Sequence, residues 1–525
     1  MNPQRRHLLF GSASAAAVAA IGLPPLTAMA GTDGDVDVHI ELHALADEVA
    51  IRPGAKTRVW RYQGKLLRGE ASALDNSVGQ LRIPVIRVRR GQRLRIDLIN
   101  GLPESTIIHW HGLHVPEAMD GHPRFAIAPG ERYHYQFTVD NRAGSYWFHP
   151  HPHGRTGKQV YAGLAGLFLI SDDEEAALEL PRGAQDLPLV LQDRSFDDNN
   201  QFVYLGAPSA GSPAQNRGMM GGGMGSMMAR MMGVFGDEIL VNGKPQASLD
   251  VARRAYRLRL LNASNTRRYK LAWSDGSPLT VIGTDGGLLA EPLQRDYILL
   301  APAERIDLWV DFGQWKVGTE LALQSLAFDG GMASGMMSGG GALPDGAAFV
   351  LHRFQVQGGT RIHASLPKHL SVLPAPKTSI AVNSDQPKVF ELTMGRMTWG
   401  INGESFDMLG ASALETVKLG SHELWEFRNE GRSAMMGMVM AHSIHVHGLQ
   451  FRVVQRSVSG QHAGEYDSVK DGLVDQGWKD TVLVMPGERV RLLLGFSDYT
   501  GLFLYHCHML EHEDAGMMRN YRVNA

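Results

Sequence analysis

Three segments of the sequence repeat one another, and this repeat constrains the fold more than any other feature. They read PGERYHYQF from Pro129, PAERIDLWV from Pro302 and PGERVRLLL from Pro486. Each consists of a turn followed by a strand whose side chains alternate between two faces. The copies begin at intervals close to the length of one small β domain. The repeat therefore predicts an all-β chain made of three related β-sandwich domains.

Composition supports this architecture and indicates where the domains end. Sixty glycines and 25 prolines among 525 residues favour turn-rich β structure. Two stretches read as linkers, because 171–188 is acidic and 357–378 carries several prolines. We therefore predict domain 1 over residues 36–175, domain 2 over 186–357 and domain 3 over 378–525.

The first thirty residues read as an export signal. Two arginines at positions 5 and 6 precede an apolar, alanine-rich stretch that ends in AMA at 28–30. This is the layout of a secretory signal peptide, and paired arginines are typical of the twin-arginine type. We expect twin-arginine export, cleavage near Ala30 and a mature protein in the periplasm with no stable membrane anchor. An uncleaved anchor is the alternative, but prolines 24 and 25 suit a bilayer span poorly.

Charge and cysteine content narrow the possible partners. The net charge is −3, so no global positive field recruits nucleic acid or a membrane surface. Cys507 is the only cysteine and permits no internal disulfide, so stability must come from core packing or from metal. We take the chain to be a monomer.

Histidines stand in four H-x-H pairs, at 109/111, 149/151, 445/447 and 506/508. Positions i and i+2 of a strand share one face, so each pair presents two imidazoles to the same side. Domains 1 and 3 carry these pairs in related contexts, HWHGL and HVHGL, whereas the middle repeat lacks them. Eight imidazoles exceed what one copper, zinc, iron or nickel ion can use. The sequence predicts a multinuclear metal cluster shared by domains 1 and 3, with domain 2 as a spacer or scaffold.

Cys507 stands between the last two of these histidines, and strand alternation turns it away from both. His442 precedes His445 by three residues and also favours the opposite face, while His512 and Met517 follow the cysteine. Two histidines, a cysteine and a weak axial methionine form the ligand set of blue copper sites. Zinc accepts Cys and His too, but a redox-inert ion gives no reason to join this site to the histidine cluster through Cys507.

These stretches resemble the four copper motifs of the multicopper oxidases, namely HWHG, FHPH, HSIHVHG and HCHMLEHEDAGM. The resemblance runs from about residue 36 to 524. It implies three cupredoxin-like Greek-key β-sandwich domains and four copper ions per chain, with a type 1 copper in domain 3 and a trinuclear cluster between domains 1 and 3. The implied ligands are His442, Cys507, His512 and Met517 for the type 1 copper, His109 and His445 for the type 2 copper, and His111, His149, His151, His447, His506 and His508 for the two type 3 coppers.

The resemblance also implies an activity. A reductant gives single electrons to the type 1 copper, and they pass through Cys507 to the trinuclear cluster, where four electrons reduce O₂ to two waters. Protons are needed as well, and Asp120 and Glu513 stand where the family has proton-relay carboxylates.

Methionines suggest that the reductant is Cu(I). Segment 217–233 contains MMGGGMGSMMARMM, and thioethers are soft ligands that select Cu(I). TDGGLLAEPL, GWKDT and INGESFDM are similar to stretches of periplasmic cuprous oxidases of bacterial copper tolerance. That resemblance makes Met394, Met438 and Met440 candidate ligands of the substrate ion, although Met438 and Trp399 stand where those enzymes have acids.

Two other functions remain open. A laccase that oxidises small phenolic or aromatic reductants shares every copper ligand and differs only in access to the type 1 edge. A copper-binding or scaffold protein without turnover belongs to a different class. The complete ligand set opposes that last reading.

Overall fold

A computed structural model gives the fold and describes residues 36–205, 207–208, 229–330, 343–395, 398–431 and 439–525. The predicted export signal, most of the methionine-rich segment 217–233 and Met438 lie outside these residues. The described chain consists of strands with a few short helices, which confirms the predicted all-β class. No helix in this part of the chain is long and apolar enough to cross a membrane.

The first sandwich contains two sheets, with strand orders β2-β1-β5-β7 and β3-β4-β9-β8-β6. Its strands are β1 (Val38–Val49), β2 (Thr57–Arg68), β3 (Leu74–Val78), β4 (Ile83–Arg89), β5 (Arg93–Gly101), β6 (Ile108–His111), β7 (Arg132–Thr138), β8 (Gly144–Pro150) and β9 (Gly166–Ser171). Along β1, buried apolar residues alternate with more exposed polar ones, because one face of the strand covers the core.

The second sandwich contains sheets with strand orders β14-β13-β10-β16-β21-β18-β19 and β15-β23-β22-β17-β20, beside the hairpin β11-β12. Its strands are β10 (Asp186–Arg194), β11 (Val203–Tyr204), β12 (Ala207–Pro208), β13 (Glu238–Val241), β14 (Lys244–Pro245), β15 (Ala247–Val251), β16 (Ala255–Asn262), β17 (Tyr269–Trp273), β18 (Leu279–Thr284), β19 (Gly287–Arg295), β20 (Ile298–Leu300), β21 (Arg305–Asp311), β22 (Glu320–Ser325) and β23 (Phe349–Val356).

The third sandwich contains sheets with strand orders β25-β24-β27-β31-β29 and β26-β33-β32-β28-β30. Its strands are β24 (Lys388–Gly395), β25 (Thr398–Ile401), β26 (Thr416–Lys418), β27 (His422–Arg428), β28 (His442–Val446), β29 (Phe451–Val458), β30 (Thr481–Val484), β31 (Glu488–Gly495), β32 (Gly501–Cys507) and β33 (Met518–Asn524).

Helical segments are short and lie between strands. The α-helices are α1 (Thr156–Tyr161), α2 (Asp173–Ala176), α3 (Ala463–Asp467) and α4 (Leu510–Asp514), and residues 229–232 are also helical. Single 3₁₀ turns cover Ala71–Ala73, Glu117–Met119, Pro123–Phe125, Gly183–Gln185, Phe312–Gln314, Thr378–Ile380, Gly460–His462 and Lys470–Gly472.

The repeated segments occupy one topological position in each sandwich. They form β7, β21 and β31, which pair antiparallel with β5, β16 and β27 respectively. Those three partners each pair in parallel with the first long strand of their own sandwich, β1, β10 or β24. The sequence repeat therefore reflects a structural unit used three times. The exact domain boundaries remain a prediction, with the strands of the three units running over 38–171, 186–356 and 388–524.

Candidate metal centre

Strand register brings the four H-x-H pairs together in two equivalent places. His109 on β6 stands opposite His149 on β8, and His445 on β28 stands opposite His506 on β32. The first and third sandwiches therefore each offer two neighbouring H-x-H strands of one sheet. All eight of these histidines are buried.

Imidazole rings of the two sandwiches meet directly. His109 stacks on His447, and His111 stacks on His445, with ring centroids 3.6 Å apart in both pairs. Each contact joins a histidine of the first sandwich to one of the third. The first and third sandwiches therefore share the histidine cluster, as the sequence predicts.

The ring nitrogens face one another in three groups. In the first, His149 Nε2 lies 3.4 Å from His111 Nδ1 and 3.3 Å from His508 Nε2. The second group is also a triad, in which His506 Nε2 lies 3.3 Å from His151 Nε2 and 3.1 Å from His447 Nε2. The third group is a pair, in which His109 Nε2 lies 3.1 Å from His445 Nε2. Two groups of three nitrogens and one of two account for all eight imidazoles.

Hydrogen bonds at the opposite ring nitrogens fix the tautomers of the pair. His109 Nδ1 lies 2.7 Å from the carbonyl oxygen of Asp120, and His445 Nδ1 lies 2.7 Å from that of Asp480. A carbonyl only accepts, so both Nδ1 atoms carry the proton of the neutral ring. The two Nε2 atoms are then unprotonated, and their lone pairs point at each other across 3.1 Å. Such an arrangement is repulsive unless a cation lies between them, so this pair fits a metal ion.

The same argument applies to the triads. His111 Nε2 lies 3.0 Å from Asp480 Oδ1, and His447 Nδ1 lies 2.8 Å from Asp120 Oδ2. His149 Nδ1 lies 3.0 Å from the carbonyl oxygen of Pro150. Each bond leaves the inward nitrogen as a free lone pair, which is the state that binds a metal.

Burial keeps six of these rings neutral by lowering their pKa. Desolvation lowers the pKa of His151 to about 3, and it drives several others further down with help from the neighbouring imidazoles. The histidines whose pKa falls well below the usual range are His111, His149, His445, His447 and His508. Neutral imidazole is the form that ligates a metal.

Cys507, His442 and His512 form a separate group, with their ligand atoms all within 4.8 Å of one another. Cys507 Sγ lies 3.5 Å from His442 Nδ1 and 3.7 Å from His512 Nδ1. Burial raises the pKa of Cys507 to about 12, so a thiolate requires a cation at this position. The structure thus brings together the three strongest ligands predicted for a blue copper site.

Met517, the predicted axial ligand, is held beside this group by its backbone. Its carbonyl oxygen accepts a hydrogen bond from the N–H of Cys507 at 3.0 Å, and its N–H donates to the carbonyl of His512 at 2.9 Å. The side chain is fully buried in the same apolar cluster as the cysteine.

The middle sandwich contributes more to the metal centre than the scaffold role predicted from sequence. The carbonyl of Met231 accepts a hydrogen bond from His512 Nε2 at 3.1 Å. Arg305, fully buried at the start of β21, donates from Nη1 to Asp480 Oδ1 at 2.7 Å, and that carboxylate oxygen also faces His111. Sequence reasoning missed Asp480 and Arg305, although GWKDT and PAER contain them.

Helix α4 carries carboxylates next to both groups of ligands. Glu513 Oε2 lies 3.1 Å from His506 Nδ1, and Glu513 Oε1 lies 3.6 Å from His151 Nε2. Burial alone would raise the pKa of Glu513, but the two histidines outweigh it and hold the pKa at about 2. Asp120 and Glu513, the two predicted proton-relay acids, therefore both lie against the histidine cluster.

Glu511 is a further buried carboxylate that sequence reasoning did not single out. It accepts hydrogen bonds from Asn265 Nδ2 and Thr266 Oγ1, both at 2.7 Å, and from the Tyr204 hydroxyl at 3.0 Å. All three donors belong to the middle sandwich. This carboxylate precedes His512 and fixes the ligand-bearing helix to that sandwich.

Several buried methionines belong to the same apolar cluster as Cys507. The described candidates Met394 and Met440 are buried in the apolar cluster that also contains Cys507, and Met438 lies outside the described residues. Other buried methionines of this cluster are Met231, Met232, Met485, Met509, Met517. Trp399 covers the ring of His512, and the centroids of the two rings lie 4.4 Å apart.

Comparisons with known proteins agree with this geometry. The sequence profile of the family described as "Multicopper oxidase" matches residues 60–175 and 381–525. A laccase of Bacillus subtilis is 30% identical over 505 residues, which cover 88% of this chain and 90% of that protein.

Solved structures give the same result. The McoA multicopper oxidase of the hyperthermophile Aquifex aeolicus superposes with a TM-score of 0.74 at 35% identity, covering 93% of this chain and 96% of that one. A multicopper oxidase of Campylobacter jejuni, described as a metallo-oxidase, gives a TM-score of 0.70 at 27% identity, covering 93% and 91%. The three sandwiches are therefore cupredoxin-like, and the buried histidine groups fit the copper cofactors of such enzymes. The chain belongs to the multicopper oxidase family.

Proposed function

We propose that the protein is a cuprous oxidase, which couples the oxidation of Cu(I) to Cu(II) to the four-electron reduction of O₂ to water. Its physiological role is then copper detoxification. Family membership supports an oxidase that uses O₂ and a reductant. The choice of Cu(I) rests on the thioether groups described above.

We assign four copper ions to the chain. The two nitrogen triads are the ligands of the type 3 pair, the His109–His445 pair holds the type 2 copper, and His442, Cys507, His512 and Met517 hold the type 1 copper. The lone-pair geometry of the eight imidazoles supports this division into three, three and two. When bound, the coppers supply single-electron uptake from the donor and the reduction of O₂.

The chain's own residues supply order and protons. The peptide links of Cys507 to His506 and His508 join the two sites by a few covalent bonds. Asp120 orients His447 through its carboxylate and His109 through its carbonyl, and Glu513 stands against His506. We assign to Asp120 and Glu513 the delivery of protons to the histidine cluster.

The observation that carries the choice of Cu(I) is the methionine environment of the cysteine group. Met440 lies two residues before His442 and lines, with Met509, a cavity of about 10 Å³ that Asp345 and Glu465 also border. A space of this size suits one ion rather than an organic molecule. Of the two carboxylates, Asp345 is paired with the buried Arg268, which also lines this cavity, so the choice of Cu(I) rests on the thioether groups.

A laccase activity on phenols is the second candidate. The name of the Bacillus subtilis relative favours it. Against it, Trp399 lies over His512 and donates from its indole N–H to the Met231 carbonyl at 3.2 Å, so the imidazole edge is covered. A copper-binding scaffold without turnover is opposed by the complete set of ligands.

We also propose that the mature protein works as a monomer in the periplasm, without a membrane anchor, after twin-arginine export. The arginine pair and the AMA site of the first thirty residues support this proposal. Cell fractionation with a protease-protection assay, on cells that express the full chain, tests the export. Changing the arginines at positions 5 and 6 to lysine should retain the protein in the cytoplasm.

The first experiment is O₂ uptake by the copper-loaded mature enzyme with chelated Cu(I), and then a substituted phenol, as sole reductant. We expect a far higher kcat/KM for Cu(I), with phenol oxidised well only when excess copper is added. Efficient phenol turnover without added copper, together with poor Cu(I) turnover, would overturn the proposal in favour of a laccase. The Met440→Leu variant should lower kcat/KM for Cu(I) by roughly tenfold with the cysteine-site spectrum unchanged.

A further inference from the structure

A cavity of about 740 Å³ lies between the first and third sandwiches, away from the cysteine group. Its wall includes the linker residues 374–377, and its other sides come from both sandwiches. Four cationic side chains line it, Arg90, Arg142, Lys377 and Arg452. Two carboxylates, Asp140 and Asp498, are the only acidic side chains in this lining, so positive charge is in excess.

Arg452 is a buried cation of this cavity. It is 7% exposed, and its Nη atoms donate to the carbonyl oxygens of Pro374 at 3.1 Å and Gln476 at 3.0 Å. Its Nε is buried without a partner, and no carboxylate of the described residues forms an ion pair with it. A buried guanidinium whose hydrogen bonds go only to carbonyls retains a charge that an anion would neutralise.

Arg142 gives a second unpaired donor in the same cavity. Its Nη2 reaches Glu174 at 3.3 Å, but its Nη1 is buried without a partner. Burial lowers the pKa of Arg452, and the positive charge of Arg142 lowers it further because the two guanidinium groups repel each other. Of the acids in the lining, Asp498 is already paired with His114 at 2.7 Å.

Another basic cavity of the described structure does not share this feature. It is lined by Arg257 and Arg259, and both of these guanidinium groups are paired with Asp307. Excess charge with unpaired, buried N–H groups therefore distinguishes the cavity at Arg452.

Part of the remaining wall is apolar. Trp478 contributes an indole ring whose centroid lies 5.3 Å from the Arg452 guanidinium, and Pro374, Pro376 and Leu493 complete this side. A guanidinium pair matches a carboxylate, and a ring face with prolines matches a planar apolar body. We propose that this cavity binds a small aromatic carboxylate, with the carboxylate on Arg142 and Arg452 and the ring against Trp478.

This site is distinct from the place where a donor would deliver electrons. The cavity reaches His114 and Asn141, which hold the turn after His111, and Asn141 Nδ2 donates to the Gly112 carbonyl at 2.9 Å. Trp399 and Met231, which cover His512, do not line it. The proposal therefore does not depend on the identity of the reductant.

Isothermal titration calorimetry of the copper-loaded full-length mature enzyme with benzoate, a carboxylate that carries no oxidisable hydroxyl, tests this site. We expect saturable binding at low salt, and a Kd raised roughly tenfold or more in Arg142→Gln and in Arg452→Gln, because each removes a charge-assisted hydrogen bond. Trp478→Leu should weaken benzoate but leave the weaker binding of acetate unchanged.

Arg361→Gln is the matched control. Arg361 also has a buried Nε without a partner, but it pairs with Asp311 in the middle sandwich and lies outside the cavity. The proposal is wrong if benzoate gives no saturable heat, if the cavity variants bind it as tightly as Arg361→Gln does, or if inorganic phosphate binds equally well. Because Arg142 is only half-buried, its variant keeps the test valid should Arg452→Gln fail to fold.

Discussion

His109 and His445 show how single residues prepare the chain for metal. Their Nδ1–H groups are bound to the carbonyls of Asp120 and Asp480, and so their Nε2 lone pairs must face each other. The second hydrogen-bonding partner of each ring thus selects the tautomer that the metal needs. Asp120 does this twice, since its carboxylate also holds His447.

Replacing Asp120 by Asn separates orientation from proton supply. The amide oxygen still accepts from His447, but the side chain no longer takes up and releases a proton. We expect kcat for O₂ reduction to fall about 10- to 100-fold, with copper content per chain retained. Metal analysis and O₂ uptake on the same preparation measure both quantities. Loss of copper in proportion to activity would show instead that the carboxylate only positions ligands.

Asp480 and Arg305 form a buried ion pair whose loss should affect stability. Both side chains are fully buried, with Arg305 Nη2 donating to Asp480 Oδ2 at 2.5 Å. Asp480→Asn leaves the guanidinium short of a counter-charge, although Asp285 remains 3.6 Å away. We expect a loss of about 3 kcal/mol in the free energy of unfolding of copper-free protein, from denaturant titration. The exposed ion pair of Arg89 and Asp173 offers the control, since Asp173→Asn should cost less than about 1 kcal/mol.

Arg305 also marks the limit of what sequence could predict. It occupies the same place in its repeat as Arg132 and Arg489, whose side chains are 52% and 40% exposed, yet it is fully buried. The repeat predicts a strand at this position. The burial follows from Asp480, far along the chain, so no local pattern carries it.

At the scale of single elements, α4 connects more of the molecule than its five residues suggest. Glu511 is bonded to the middle sandwich, His512 belongs to the cysteine group, and Glu513 lies against His506. Asp514 accepts hydrogen bonds from the backbone N–H groups of Thr156 and Gly157 at the start of α1, at 2.9 and 3.0 Å. Consecutive side chains of one turn therefore reach all three sandwiches.

Glu511→Gln tests whether this attachment positions His512. An amide has one acceptor oxygen, so donors that now share two carboxylate oxygens lose a partner. We expect a shifted visible spectrum and a changed reduction potential of the cysteine site, with activity reduced about 10-fold. Spectroscopy and redox titration of the copper-loaded variant measure these effects. The exposed Glu48→Gln serves as control, and an unchanged potential in Glu511→Gln would argue against a positioning role.

The sequence predicted elements unevenly for a physical reason. Period-two alternation and repeated turns identify strands, so β7, β21, β31 and the H-x-H strands could be expected. Residues 510–514 follow a strand, and their short helix is set by contacts with other sandwiches. The roles of Glu511 and Met231 could not be read in advance, because both depend on tertiary contacts with a segment hundreds of positions away.

On the scale of the whole molecule, the histidine cluster is also a joint between the first and third sandwiches. Its rings stack across that boundary, and metal ions held between them would tie the two units together. Duplicated motifs in domains 1 and 3 made this sharing predictable from sequence. The contribution of the middle sandwich could not be predicted, because it provides a carbonyl group and buried charges rather than histidines.

Copper removal should therefore make stability depend strongly on pH. In the copper-free fold the pKa values of His151 and His512 are about 3, whereas unfolded histidine titrates near about 6.5. Between these values the unfolded chain binds protons that the folded chain does not, so stability falls as pH decreases from about 6.5 to about 3. Calorimetry across this range should show a falling unfolding temperature for copper-free protein. A temperature independent of pH there would contradict the burial of neutral imidazoles.

The single turn of α4 also limits how this chain can change in length. A residue inserted directly before Glu511 would rotate every later side chain of the helix by about 100° around the helix axis. Glu513 would then leave His506, and Asp514 would leave α1, while the side chains before the insertion kept their places. Such an insertion damages docking, ligation and acid placement in one step. Loops elsewhere can lengthen or shorten, but the spacing from Cys507 to Met517 has almost no freedom to drift.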